Sequence, residues 1–570
     1  MALLDLGKIK ITNKGLWSNV TNYEVDDFVQ SGKHTFICIA NNLNEEPYNV
    51  STSTLNSSFW SFMAQGAEAG DWNAAENTPE YIENKPKILP CMEVISLSEY
   101  FPGLRYHVHH FMLMRDKSLR CFGQNNLSYN LGDGDSSGTR EFPSQTAIPD
   151  KVKSYDIFYG GGLVITEKDE CWAWGRQDYG QLGFGHTTTV PWPRRVPLPS
   201  GMTKFISAQA SSGTSYTSGT TAIYLCENSQ GERFVYTCGD GRYGAIGDGT
   251  TTQRTTLTQV SALNGLNVEK VYAMSSNYEW CAAITSNKDL WTWGSDRRGL
   301  QGKGTDGVNQ LTPIKAQDNS LPNVGVTKVL TNADNSVGSV VVLLENNQLW
   351  LTGQNDYGID GSGVAQQRNS WVQVQGEGSS DVVDFVFNGG NGHASLMILK
   401  TDEKVRTIGY NGYGQLGIGN TTDSLTWQTP PATRSYAGTI LDCNVNVKKI
   451  TCSMTGDSYS NYMFIRDDGE WDSHGHGKAF AWGDNNSGQL GIGHGSTGSP
   501  GTNRTEWTTY FPNECAGLPS RVIDIKNCGT STSRSTVALL SDGIIYSAGV
   551  SDAIGRETGN NIHTFGRVIL

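Results

Sequence analysis

Eight times along this 570-residue chain a short strand ends in glycine and a glycine-rich turn follows. The clearest copies are Cys171-Trp-Ala-Trp-Gly-Arg-Gln-Asp-Tyr-Gly-Gln-Leu-Gly-Phe-Gly185, Val405-Arg-Thr-Ile-Gly-Tyr-Asn-Gly-Tyr-Gly-Gln-Leu-Gly-Ile-Gly419 and Phe480-Ala-Trp-Gly-Asp-Asn-Asn-Ser-Gly-Gln-Leu-Gly-Ile-Gly493. The lead glycines are Gly123, Gly175, Gly239, Gly294, Gly353, Gly409, Gly483 and Gly549. Self-similarity at this period means a repeat architecture, in which no unit buries its apolar face alone. It also spends glycine and tryptophan on structure, which weakens the case for an enzyme.

Each unit reads as strands. An apolar run such as Ser395–Leu399, Val340–Leu344 or Thr536–Leu540 is followed by a polar turn, then by an alternating strand that ends in the lead glycine. Two β-rich runs joined by a few turn residues form a hairpin. A Pro- or Val-marked strand such as Pro193–Pro197 comes after the glycine turn, then a strand like Val268–Tyr272. Four short strands per unit make the blade of a β-propeller. The turn glycines Gly175, Gly180, Gly183, Gly185, Gly409, Gly414, Gly417, Gly483, Gly488 and Gly491 suit backbone of positive φ and close approach between blades. Trp174, Trp293 and Trp482 stand on strands, where a large ring fills the space between blades.

These residues resemble the repeat of the regulator of chromosome condensation family, Trp-Gly-x-Asn-x-x-Gly-Gln-Leu-Gly-x-Gly, over residues 91–570. The resemblance implies an all-β propeller, usually of seven blades in that family. Eight hairpins are present here, about 60 residues each, so eight blades are favoured over seven. The ring is expected to close by joining residues 565–570 to strands near residue 91, which removes edge strands. The family includes exchange factors, ubiquitin ligase modules, photoreceptors and scaffolds, and a fold does not specify among them.

Composition narrows the partners. The net charge is −13, from 56 acidic and 43 basic residues, and no basic run opens the chain. That is a poor footprint for nucleic acid. No apolar segment reaches the length that spans a bilayer, so no membrane insertion is expected. The N-terminus lacks the regions of a signal peptide. Eleven cysteines without a Cys-x-x-Cys pair point to reduced, mostly buried thiols and folding in a cytoplasm.

No catalytic residue, metal or cofactor is expected. His474 and His476 supply half a tetrahedral site at most. His107, His109 and His110 read as edge or surface histidines, alternating between two faces. Asp133 and Asp135 lack the later bidentate Glu of a calcium loop and read as a solvated turn. The Gly-x-Gly turns open no helix and cradle no phosphate. A carboxylate pair for glycoside cleavage would be a spatial arrangement, and no acidic residue stands out in sequence.

Residues 1–70 fall outside the repeat and resemble a small chitin-binding-type carbohydrate module, through Trp17, Tyr23-Glu-Val-Asp-Asp-Phe-Val29, Phe36, Pro47 and Trp60. Asp26 replaces the Gly of that pattern. The resemblance makes Trp17, Tyr23 and Trp60 candidate glycan-stacking residues, although in so small a domain such rings more often form the core. Val25–Val29 and Thr35–Ala40 read as two strands joined at Ser31-Gly32. Residues 71–90 read as an extended linker, and Ile82-Glu-Asn-Lys-Pro-Lys-Ile88 resembles a segment common in phage fibre proteins.

Together these resemblances imply a bacteriophage virion protein assembled in the host cytoplasm. It would be an oligomeric tail fibre or appendage that docks on other virion proteins through residues 1–90. The propeller would then bind a host surface glycan or protein without cleaving it, on unequal loops at Thr139–Ser144, Asp306–Asn319 and Asp467–Gly477. The alternatives are a cellular propeller scaffold or exchange factor, and a glycan depolymerase.

Overall fold

The computed structural model describes residues 12–16, 22–23, 27–31, 34–38, 42–43, 48–49, 54–55, 60–65, 94–97 and 109–568, except 126–128, 136–137, 159, 212–218, 275–277, 332–337, 389–391, 432, 437–438, 443, 454–460, 468–476, 494–511, 520, 530–533 and 551–561. The chain divides into two compact units, Met1–Pro90 and Cys91–Leu570.

In the first unit, strands Thr12–Leu16, Asp27–Ser31, His34–Cys38 and Trp60–Gln65 form one sheet in that order. The first pair is parallel and the others antiparallel. Asp27–Ser31 and His34–Cys38 are the hairpin expected around Ser31-Gly32.

The second unit is an eight-bladed β-propeller. Eight four-stranded antiparallel sheets are each built from four consecutive strands. Blade 2 is typical, with strands Val152–Phe158, Gly161–Thr166, Cys171–Gly175 and Val190–Arg195. Its second strand is buried along its whole length, its first is buried mainly at its two ends, and its fourth is largely exposed. That gradient follows from position, because the second strand has blades on both sides whereas the outer strand has only one covered face.

The strand division differs from the expectation in one respect. Val268–Met274 does not complete the preceding unit. It is the first strand of blade 4 and pairs with Trp280–Thr285. Each sheet is therefore a continuous piece of chain, and the ring closes without strand exchange. The last strand, Ile562–Arg567, pairs within its own blade with Ile545–Gly549. Closure instead comes from packing between blades 8 and 1, where Val94, Leu97, Met112, Met114 and Phe122 meet Val537, Leu539, Ile545 and Val568. Val94 N donates to Gly543 O at 3.0 Å across this seam.

His109 and His110 are buried, which corrects their expected surface position. They lie on the second strand of blade 1, His109–Met114, where both faces are covered. His110 Nε2 meets Ser535 Oγ of blade 8 at 2.7 Å, and burial pushes its pKa down to about 3. His107, His474 and His476 lie outside the described residues.

Of the expected recognition loops, Thr139–Ser144 is strand and Asp306–Asn319 contains one. Thr139–Gln145 is the outer strand of blade 1, and Gln310–Lys315 is the outer strand of blade 4. Residues 468–476 of the third lie outside the described residues. Asp133 and Asp135 are not simply solvated, since Arg140 Nε and Nη2 meet their carboxylates at 2.7 and 2.9 Å.

Candidate functional site: the glycine-turn face

The glycine turns define one face of the ring, and their geometry explains the repeat. All eight lead glycines have φ between 100° and 121°. At Gly175 an added Cβ would collide with the carbonyl oxygen of Gly160. Two consecutive tight turns follow, as in Gly180 N to Gln177 O at 2.9 Å and Gly183 N to Gly180 O at 3.0 Å. The seven turn glycines named above that are not lead glycines have φ between 63° and 82°.

Turns among the described residues dock on the next blade. Gly185 N donates to Thr255 O, Gly249 N to Leu311 O and Gly304 N to Asn369 O, at 2.8, 3.0 and 2.7 Å. These acceptors stand on outer strands. The turns also receive the tryptophans of the next blade. Trp174 Nε1 donates to Asn130 O, Trp293 Nε1 to Ala245 O and Trp482 Nε1 to Gln415 O, at 2.8, 2.9 and 2.8 Å. The three indoles are fully buried. A glutamine pins each well-formed turn, with Gln181 Oε1 accepting from Tyr179 N at 3.1 Å and Gln181 Nε2 donating to Arg176 O at 2.8 Å.

With the turns held this way, the third and fourth residues after the lead glycine project from the face. On blades 2 to 4 they build an arginine–tyrosine patch. Arg242 lies over the rings of Tyr179 and Tyr243, 5.3 and 6.0 Å from their centroids. Arg297 lies over Tyr278 at 4.4 Å, and Tyr243 and Tyr278 are 5.2 Å apart. Both arginines are exposed and the tyrosines half-buried. On blades 5 and 6 a second cluster joins Tyr357, His393, Tyr410 and Tyr413, with His393 and Tyr410 centred 4.4 Å apart.

Beneath the first patch lie two carboxyls that the fold brings together. Asp240 and Glu279 are 1 % and 0 % exposed. Arg242 Nε donates to Asp240 Oδ2 at 2.6 Å and Arg242 N to Asp240 Oδ1 at 2.9 Å. Burial raises the Glu279 pKa well above the ordinary carboxylic range, and the Asp240 charge adds to that. The equivalent positions in blades 7 and 8 hold Asp484 and Arg534, a buried ion pair.

A further carboxyl, Asp156, stands apart on the first strand of blade 2. Its Oδ2 accepts from Ala210 N at 2.9 Å, and desolvation raises its pKa to about 7. It lines a cavity of about 320 Å³ between the first strands of blades 2, 3 and 4, with Tyr155, Gln209, Lys270 and Tyr272.

This arrangement argues against glycoside cleavage at this carboxyl pair. Asp240 Oδ2 and Glu279 Oε1 crowd the same point at Gly219, whereas a hydrolase needs roughly 5 Å or more between its two carboxyls to admit the sugar. Among the described residues no group of three metal-ligating side chains occurs, and no helix is long and apolar enough to cross a membrane. The seven described cysteines are free and buried.

The candidate glycan residues belong to the first unit. Trp17 lies outside the described residues. Tyr23 and Trp60 lie on strands Asn22–Tyr23 and Trp60–Gln65, and their side chains are likewise outside the description. The arginine–tyrosine patch and the buried pair escaped the sequence reading. Aligning the eight turns on their lead glycines would have flagged the first, because Asp178-Tyr179, Arg242-Tyr243, Arg297-Arg298 and Asp356-Tyr357 then share two columns.

Comparison with known proteins agrees with the repeat. The family model described as Regulator of chromosome condensation (RCC1) repeat matches residues 168–218 and 476–533. The chain is 25% identical over 349 residues to the Ultraviolet-B receptor UVR8 of Arabidopsis thaliana, covering 61% of this chain and 69% of that protein. It is 28% identical over 273 residues to the human E3 ubiquitin-protein ligase HERC2, covering 47% of this chain but only 5% of that protein. Solved structures with a similar fold include human WBSCR16, at 20% identity and TM-score 0.48, covering 71% of this chain and 90% of that one. Yeast RCC1 (Prp20) bound to Kap60 aligns at 13% identity and TM-score 0.47, covering 87% and 91%.

The sequence relatives are cellular proteins of eukaryotes, which overturns the tail-fibre function and the virion localisation. The misreading came from short N-terminal motifs, whose residues are too few to outweigh the repeat. Residues 168–218 and 476–533 thus match the regulator of chromosome condensation repeat, within a ring of eight four-stranded blades.

Proposed function

We propose that this chain is a non-catalytic cellular propeller scaffold that binds a partner protein on the glycine-turn face. The observation that carries this reading is the patch of Arg242 and Arg297 braced on Tyr179, Tyr243 and Tyr278. Arginine and tyrosine are the residues most enriched at interface hot spots, and stacking lowers the entropy lost when an arginine is fixed by a partner. The patch is cationic on a chain of net charge −13, so an acidic surface of the partner fits it.

Partners captured by the full chain and by an Arg242→Glu/Arg297→Glu variant test this. Lys448→Glu, an exposed charge reversal on the first strand of blade 7, serves as control. The double variant is expected to lose a protein that the parent and the control retain, with the propeller still folded. Retention of the same partners by all three would refute this face as the docking surface.

A further inference from the structure

The Asp240–Glu279 contact has a chemical requirement that the other buried pairs of the ring do not. Glu279 immediately precedes the second strand of blade 4, Trp280–Thr285, and its carbonyl accepts from Ser295 N at 2.8 Å. Asp240 immediately follows the lead glycine of blade 3. Their carboxyls converge at the backbone of Gly219, where a Cβ would strike both. No side chain among the described residues donates to the Glu279 carboxyl, which has its own backbone N–H as donor and the Asp240 carboxyl as its side-chain neighbour, with Asp240 Oδ2 and Glu279 Oε1 crowding the same point at Gly219. Two ionised carboxylates have no hydrogen to place between them, so the contact needs a proton.

We infer that Asp240 and Glu279 hold one shared proton and form an acid-strengthened latch across the seam between blades 3 and 4.

The surrounding charges agree. From blade 3 the pair is faced by Arg242 and Tyr243, and from blade 4 by Tyr278 and Cys281. Arg297 stacks on Tyr278 one layer further out. The adjoining stretches 212–218 and 275–277 contain no acidic or basic residue. One guanidinium, Arg242, therefore faces two carboxyls. At the matching seam of blades 7 and 8, Arg534 against Asp484 balances its charge with no proton. The same two positions are thus filled once by an ion pair and once by two carboxyls.

The sign follows from linkage. Glu279 keeps its proton in the folded ring, because its folded pKa is raised. In the unfolded chain it releases that proton above its ordinary value of 4.5. Between these two values folding takes up a proton, and the folding equilibrium constant falls up to tenfold per pH unit as pH rises. The latch is complete below the unfolded value and is lost as pH passes the folded one.

The test is thermal unfolding of the full chain from pH 5 to pH 9, in an Asp156→Asn background that removes the separate carboxyl titrating near 7. The parent is compared with Glu279→Gln, whose amide donates to Asp240 without a titrating proton. The melting-temperature advantage of the Gln variant is expected to widen as pH rises, and parallel curves would overturn the latch. If that variant does not fold, infrared spectroscopy of the Asp156→Asn protein at pH 7 decides. A buried protonated carboxyl band is expected, and its absence overturns the proposal. The readouts are stability and protonation, so failure here leaves the partner-binding reading untouched.

Discussion

Gly417 and Trp482 offer the sharpest check on why the repeat keeps glycine and tryptophan together. Gly417 has φ +72°, and a Cβ there would stand 2.7 Å from Trp482 Nε1 of the next blade. Gly417→Ala therefore meets two costs. The left-handed backbone costs about 1–2 kcal/mol for a residue with a Cβ. Displacing a close-packed ring costs a further ~1–3 kcal/mol. Trp482→Phe alone leaves the Gln415 carbonyl without its 2.8 Å donor, a loss of about 1–3 kcal/mol. In the double variant the ring no longer carries Nε1, so the clash is relieved and the backbone cost of the alanine remains beside the loss at Gln415. The double-mutant cycle should show a favourable coupling of ~1–3 kcal/mol in denaturant unfolding followed by tryptophan fluorescence and circular dichroism. Gly409→Ala is the control. Its Cβ would strike the Ala394 carbonyl rather than an indole, so Trp482→Phe should not rescue it. Additive effects at 417 and 482, within about 0.5 kcal/mol, would refute the idea that the indole dictates the glycine.

Three further outcomes are expected. Arg534→Met strands the Asp484 charge in a site 4 % exposed and should cost about 3–5 kcal/mol, and adding Asp484→Asn should recover part of the lost melting temperature. His110 is neutral in the folded ring, with its pKa pushed down by burial, whereas the unfolded chain takes up a proton below the ordinary value of 6.5. Stability should therefore fall up to tenfold in equilibrium constant per pH unit from there down to about 3, and a His110→Asn variant should show a shallower acid limb in unfolding between pH 4 and pH 7. Deleting residues 565–570 removes Phe565, whose ring lies against Gly491, and Val568 from the closing seam. It should lower stability by roughly 3–5 kcal/mol, and an unchanged melting temperature would refute closure through this packing.

The blade count was legible because each unit carries its own punctuation. A turn that needs positive φ at Gly175, Gly180, Gly183 and Gly185 can be written with little but glycine, so the pattern survives in one dimension. Second strands such as Val340–Leu344 show as apolar runs because blades cover both faces. The assignment of Val268–Met274 to a blade was not legible. Periodicity marks a strand but not which neighbour it pairs with. For the same reason His109 and His110 were misplaced, since residue type suggested a surface and the strand's position between two blades decided burial.

The candidate site divides along the same line. The sequence by itself determined that a ring of hairpins would present a row of glycine turns, because backbone conformation is a local property of residue type. Only the tertiary structure decided what that row displays. Tyr179, Arg242 and Tyr278 belong to three different blades and meet only because successive turns dock on one another. Asp240 and Glu279 are 39 positions apart, and nothing in either local sequence marks them. Their need for a proton arises from burial together across a seam, and burial is a property of the closed ring rather than of any segment in it.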